Sequence, residues 1–118
     1  MQDQHILKAY DRDLEAIQAH VLKMGGLVED AIRQGAEALS ARDAEGAERV
    51  RAGDRAVDAL EQVVTEEVAR VMALRAPVGR DLRALLVAMR LATSLERVGD
   101  YAKNIGKRVT VLAELPAW

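Results

Sequence analysis

The sequence predicts an all-α fold, an up-down-up antiparallel bundle of three long helices, spectrin-repeat-like in shape. Three observations predict it. Apolar residues recur at alternating steps of three and four along most of the chain, the period of a helix face buried over its length. The interruptions of that pattern are short, and short connections between long helices make antiparallel neighbours. Finally, half of the 118 residues are hydrophobic but only 3% are aromatic, with no Phe. A core of Leu, Val, Ile, Met and many Ala suits helices that approach closely. Residues 1–118 read as a single three-helix unit.

The first helix is predicted over residues 4–40. Tyr10, Leu14, Ile17, Val21, Met24, Val28, Ile32 and Leu39 form its apolar face, with Gly35 in the remaining slot. Gly25, Gly26 and Gly35 each weaken a helix by about 1 kcal/mol relative to Ala. Either close approach of a neighbouring backbone or a local bend accounts for them. The stretch Ala41-Arg42-Asp43 breaks the pattern, and Asp43 has the chemistry of an N-cap. A second helix follows over 43–75, its face formed by Ala47, Val50, Val57, Val64, Val68, Val71 and Leu74. Pro77 then interrupts, and Asp81 suits the positive end of a new helix dipole. The third helix, 78–114, carries Leu82, Leu85, Met89, Ala92, Leu95, Ile105, Val109 and Leu112 until Pro116 stops it. Each helix extends roughly 45 Å at about 1.5 Å per residue.

Charge and composition narrow the function classes. Seventeen Lys and Arg stand against nineteen Asp and Glu, a net charge of −2. Bulk nucleic-acid binding needs a basic face, so no nucleic-acid partner is expected. The three helices are also far longer than those of helix-turn-helix readers. With no cysteine there is no disulfide framework and no thiolate metal site. No secretory signal is visible, and the longest apolar run, 84–89, is far too short to span a bilayer. A soluble, cytoplasmic protein without membrane insertion is the expectation.

The informative anomaly is acidic. Asp54 and Asp58 stand four apart on the second helix, with Glu61 one turn further on, and Glu96 and Asp100 stand four apart on the third. At about 100° per residue, positions 82, 85, 89, 92, 96, 99, 100 and 103 share one side of the third helix. Glu96 and Asp100 therefore continue a stripe begun by Leu82, Leu85 and Met89. Asp54 and Glu61 fall within about 40° of Val50. Like charges four apart repel, and repel more when partly buried. Two such pairs on adjacent helices call for a compensating cation, and an all-carboxylate donor set suits Mg, Mn, Ca or oxidised iron better than zinc or copper.

An ordinary polar seam is the competing explanation. Arg51, Arg55, Arg97, Lys103 and Lys107 are near enough in sequence to neutralise these acids, with Lys103 partnering Glu96 and Lys103 or Asn104 partnering Asp100. Other candidate chemistry is weaker. His5 and His20 lie more than about 20 Å apart along one helix and cannot share a metal. His20 reads as a rim residue. There is no Glu-x-x-His pair of the di-iron bundles, and Ser40, Ser94, Thr65, Thr93 and Thr110 lack a His–Asp arrangement to activate them. Gly99, between Glu96 and Asp100, removes a side chain beside the acids, either for a ligand or for tight helix contact.

Four segments resemble the PhoU family of bacterial phosphate-uptake regulators: M24-G-G-L-V-E29, G53-D-R-A-V-D-A-L-E61, R75-A-P-V-G-R-D-L-R83 and, most specific, L95-E-R-V-G-D-Y-A-K-N-I105. The resemblance is most like the family's N-terminal repeat. It implies a three-helix bundle with paired E(D)xxxD motifs, which in some relatives hold multinuclear iron or zinc. Here those motifs fall on Asp54–Asp58 and Glu96–Asp100, with Asp58 at a position where the family also uses Asn. The implied cofactor is a divalent or trivalent ion (Fe, Zn, Mn or Mg). The implied role is non-enzymatic regulation of phosphate transport and of the transcriptional response to starvation. The partners would be the ATPase subunit of the Pst transporter and a PhoR-type sensor kinase acting through PhoB. The family's usual chain carries two repeats. One repeat fits either a portion of such a chain or a unit that pairs with itself, and a homo-oligomer, most simply a homodimer, is expected. Outside this reading stand a carboxylate-bridged metal enzyme and a metal-free helical interaction module.

Overall fold

A computed structural model describes residues 2–116, with side chains from Lys8 onward. His5 and Trp118 lie outside the described side chains. Three helices run in sequence: α1 (Gln2–Ala41), α2 (Ala44–Arg75) and α3 (Gly79–Leu112). They form an antiparallel three-helix bundle of 70 × 18 × 15 Å in which each helix packs against both others.

Local chemistry sets both turns. After α1, Arg42 adopts a left-handed φ of 54°, and the Asp43 amide returns to the Ala38 carbonyl at 2.9 Å. Asp43 then caps α2, accepting from the Gly46 amide at 3.0 Å. This satisfies one of the donors that a helix start leaves unpaired. The Arg42 guanidinium also donates to the Leu115 carbonyl, which fastens this turn to the end of α3. At the other end Ala76 closes α2 in the left-handed region, its amide donating to the Met72 carbonyl. The extended Val78 precedes α3 without capping it through a side chain. Helix α3 gives way to short turns at Ala113–Leu115, ahead of Pro116.

The core is a set of alternating three- and four-residue steps. On α2 it runs Ala47, Val50, Asp54, Val57, then Val64, Val68 and Val71, all buried. On α3 it runs Leu85, Ala88, Ala92, Gly99, Ala102, Gly106 and Val109. Ile17, Met24 and Val28 of α1 meet them from the third side. The buried stripe of α3 is thus turned from the one the sequence suggests. Met89 is only partly buried, Glu96 and Asp100 sit on the shoulder facing α2, and Gly99 takes the core slot.

Four residues expected in the core, Ile32, Leu39, Leu74 and Ile105, are exposed. A bundle of three buries a narrower arc of each helix than the apolar periodicity covers, so the outer members of each stripe stay in solvent. The glycines also divide. A Cβ at Gly25 or Gly26 would meet nothing within 4 Å, so neither makes room for another helix of this chain. Gly106 does: a Cβ there would stand 2.8 Å from the Ala47 carbonyl oxygen and 3.1 Å from Arg51 Cγ.

Polar contacts fix the register of α1. Tyr10 donates its hydroxyl to the Asp81 carbonyl at the start of α3. Burial, with Asp81 and Asp11 nearby, raises the pKa of the phenol and keeps it a donor. Asp13 accepts from Arg75 at 3.2 Å, and the His20 ring donates to Glu67 at 2.6 Å.

Gly106→Val is expected to destabilise the fold by about 1–3 kcal/mol, the usual range for overpacking against backbone. Urea denaturation of the variant beside the parent chain measures it.

Candidate metal centre

The five acids singled out in the sequence lie along the α2–α3 seam. Asp54 and Asp58 from α2 and Asp100 from α3 each offer an oxygen, and these oxygens all lie within 4.8 Å of one another. Glu96 and Glu61 stand beside this trio rather than in it. Asp58, Glu61 and Glu96 line a solvent-facing groove together with Gln62 and Thr65. Helical geometry explains the arrangement. Residues four apart on α2 project Asp54 inward and Asp58 to the rim, while Asp100 reaches them from the α2-facing shoulder of α3.

Asp54 is the unusual member. It occupies a core slot, is only 4% exposed, and neither carboxylate oxygen has a hydrogen-bond partner. Its one ion-pair partner among the described residues is Lys103, whose ammonium stands 3.8 Å from Oδ2. A buried carboxylate without donors loses its hydration with little in return. Burial therefore raises the Asp54 pKa, and the like charges of Asp58 and Asp100 raise it further, opposed by Lys103. Glu96 is pushed up to about 7, first by desolvation and then by the neighbouring carboxyl of Asp100, with Glu61 and Asp58 adding repulsion.

Lys103, offered to Glu96 or Asp100 by the competing polar-seam explanation, pairs instead with Asp54, because it lies on the α2-facing side of α3. The signal was present, since Lys103 shares a helix side with Gly99 and Asp100. Gly99 proves to be part of the site's construction. A Cβ at this position would stand 3.3 Å from Asp54 Oδ1 and 3.5 Å from Val57. Its missing side chain is what lets a carboxylate occupy the core opposite. The hydrogen bond between His20 and Glu67 was not anticipated; partners from two helices leave no short-range pattern.

A divalent or trivalent cation fits these residues. The donors are all carboxylate oxygens, the chemistry of hard ions, and two of those oxygens are buried without a donor. Asp54, Asp58 and Asp100 would hold the ion, with Glu96 and Glu61 near enough to enlarge or neutralise the centre.

Fold and site together define a class: a three-helix bundle carrying a carboxylate cluster between its second and third helices. The PhoU domain model matches residues 21–109, and the chain belongs to the PhoU family. It is 38% identical over 112 residues to the phosphate-specific transport system accessory protein PhoU homolog of Xylella fastidiosa strain Temecula1, an alignment covering 95% of this chain and 46% of that protein. The homologs of the same name in Caulobacter vibrioides strain NA1000 and Zymomonas mobilis are 40% and 41% identical over 111 residues. In both, 94% of this chain is aligned, against 48% and 47% of the relatives. The chain spans about half the length of the curated relatives it matches.

Two outcomes follow from the electrostatics. In the folded metal-free protein burial and like charge make Asp54 and Glu96 hold their protons more tightly than in the unfolded chain, Glu96 up to about pH 7. Their contribution to stability should therefore be fully present below the unfolded values and be lost as pH rises through about 7, the folded value of Glu96. A melting-temperature series across that window in the presence of chelator reads the slope, and added Mn²⁺ should flatten it at the alkaline end. Asp54→Asn should raise the stability of the metal-free fold by about 1 kcal/mol at pH 8 by removing a buried charge. The same substitution should weaken cation binding, as isothermal titration with Mn²⁺ will register.

Proposed function

We propose that this chain is a non-enzymatic, metal-binding regulator of phosphate uptake. Its place would be the cytoplasm, between the ATPase subunit of a Pst-type phosphate transporter and a PhoR-type sensor kinase. With phosphate abundant, it would restrain both uptake and the PhoB-dependent transcriptional response. Membership of the PhoU family supports the phosphate-transport part of this reading, and the names of the relatives, accessory proteins of a phosphate-specific transport system, support a role beside the transporter.

The observation that carries the metal part is the carboxylate cluster with a buried, donor-less Asp54 at its heart. Asp54, Asp58 and Asp100 would bind the ion, Glu96 would give up its proton as the ion enters, and Gly99 would keep the cavity open beside Asp54. A bound hard cation supplies positive charge that ties α2 to α3 and changes the field of the exposed acidic groove. The protein's own part is binding and orientation: it holds the seam in one register, with Asp58 and the groove facing solvent. Iron, manganese or magnesium matches the donors best, zinc less well. Among the described residues no helix is long and apolar enough to cross a membrane.

Glu96→Ala combined with Asp100→Ala tests the metal site. The parent chain, reconstituted with Mn²⁺ or Fe³⁺ and desalted, should retain the ion and gain melting temperature, because a ligand of the native state stabilises it. The double variant should lose both effects while keeping its helical circular dichroism. Metal content unchanged in that variant would refute the assignment. In cells, removal of the protein should derepress a phosphate-starvation reporter in phosphate-rich medium. Restoration by the parent chain, and not by the double variant, joins the metal to the regulation.

A further inference from the structure

The buried carboxylate of Asp54 also faces a second side of the bundle. The acidic groove is lined by Asp58, Glu61 and Glu96 but not by Asp54. Asp54 lines instead a separate cleft of about 180 Å³ between α1 and α2. The buried Asp54 and Gly99 form its inner end, and the exposed Asp30, Gln34 and Arg49 surround its mouth. The walls between are apolar: Leu27 and Ala31 from α1, Val50 and Val57 from α2. Asp54 is only 4% exposed, and neither of its oxygens has a hydrogen-bond partner. A Cβ at Gly99 would stand 3.3 Å from Asp54 Oδ1, so this oxygen lies on the Gly99 side, where the cleft ends. The terminal torsion of an aspartate is soft, and a small turn of the carboxyl group brings Oδ1 onto the cleft floor.

The chemistry of the cleft selects its occupant. Oxygens of Asp58 and Asp100 lie within 4.8 Å of Asp54, whose ion-pair partner Lys103 stands at 3.8 Å on the Oδ2 side. Three carboxylates against that one ammonium leave the inner end negative, and an anion is repelled. The charges at the mouth have partners of their own, Asp30 with Arg33 at 2.8 Å and Arg49 with Asp43 at 3.7 Å. A hard metal ion wants oxygen on every side, which apolar walls do not give. Water needs several polar partners, and the same walls withhold them. A protonated aliphatic amine meets all of these terms. Its N–H groups donate to the carboxylate in a charge-assisted hydrogen bond, and its methylene chain covers the apolar walls.

We propose that the α1–α2 cleft binds a short aliphatic ammonium ion, its head on Asp54 Oδ1 and its chain between Leu27, Ala31, Val50 and Val57. This goes beyond the phosphate-transport reading, and of the proposed metal donors it shares Asp54 alone. Ammonium and metal ion would lie on opposite sides of one carboxylate, so each should weaken the binding of the other by the same factor. That coupling rests on the metal reading; the cleft does not.

Titration of methyl-labelled protein with n-butylammonium chloride, followed by NMR in the presence of chelator, is the test. Saturable shifts are expected at the methyl groups of Ala31, Val50 and Val57. Neither n-butanol, which lacks the charge, nor tetramethylammonium, which lacks N–H donors, should produce them. Asp54→Asn should weaken amine binding at least tenfold. Gly53→Leu sets a side chain over the cleft from a position where a Cβ meets nothing within 4 Å. It should abolish amine binding with helicity, melting temperature and Mn²⁺ content unchanged, and it serves where Asp54→Asn fails to fold. Equal shifts with n-butanol would show an apolar hollow only and overturn the proposal. So would the absence of a saturable shift by about 10 mM amine, or binding indifferent to Gly53→Leu. Amine binding that persists in Glu96→Ala/Asp100→Ala supports the cleft whatever becomes of the metal, and so separates it from the functional reading.

Discussion

A carboxylate in a core position is the constraint on which the middle of this bundle depends. The three-four stripe of α2 reads Ala47, Val50, Asp54, Val57, and an apolar residue at the third place would complete an ordinary helix seam. Asp54 instead brings a buried group whose oxygens lack donors. Everything around it answers that charge. Gly99 withdraws a side chain, Lys103 leans in to 3.8 Å, and Asp58 and Asp100 gather where only a proton or a cation reconciles them. The remainder of the core is then free to be unremarkable: valines on α2, small residues and Leu85 on α3, Ile17, Met24 and Val28 on α1.

In the proposed metal site a proton and an ion would compete for the same oxygens, and that competition would join stability to occupancy. A proton held on Glu96 to about pH 7 lessens the mutual repulsion of the cluster without metal. Filling the proposed site would require that proton to leave, so cation affinity should rise with pH over the range where the metal-free fold weakens. Substituting the acids by neutral residues should relieve the metal-free fold and disable the proposed site. Such opposition between stability and ligand chemistry is the usual mark of a functional cluster.

Much of the fold was legible because helical period is a local signal. The alternation through Tyr10, Ile17, Val21, Met24 and Val28 belongs to one buried face, and Asp43 caps α2 as its chemistry and position suggested. The rotation of the α3 stripe was not legible. Positions 85, 89, 92, 96 and 99 share a side, yet so do 85, 88, 92 and 99, and only the placement of two other helices decides between them. That ambiguity of about 40° is the difference between Glu96 in the core and Glu96 on the shoulder. The acids were conspicuous as like-charged pairs on adjoining helices. The partner of Lys103 and the pairing of His20 with Glu67 depend on contacts between segments far apart in sequence, which no spacing rule encodes.

The misplaced residues carry their own physical message. Ile32, Leu39 and Ile105 obey the apolar period and still lie in solvent, because three helices of this length cannot enclose so wide an arc. Exposing them costs solubility and gives nothing to the isolated bundle. Near them the core is closed by Ala38, Ala47 and Val109, with Gly106 leaving no room for a Cβ against the Ala47 carbonyl. An amino-acid choice made only for the isolated bundle would have put polar groups at 32, 98, 101 and 105. Large apolar groups stand there instead, on the side of α3 turned away from the acidic seam.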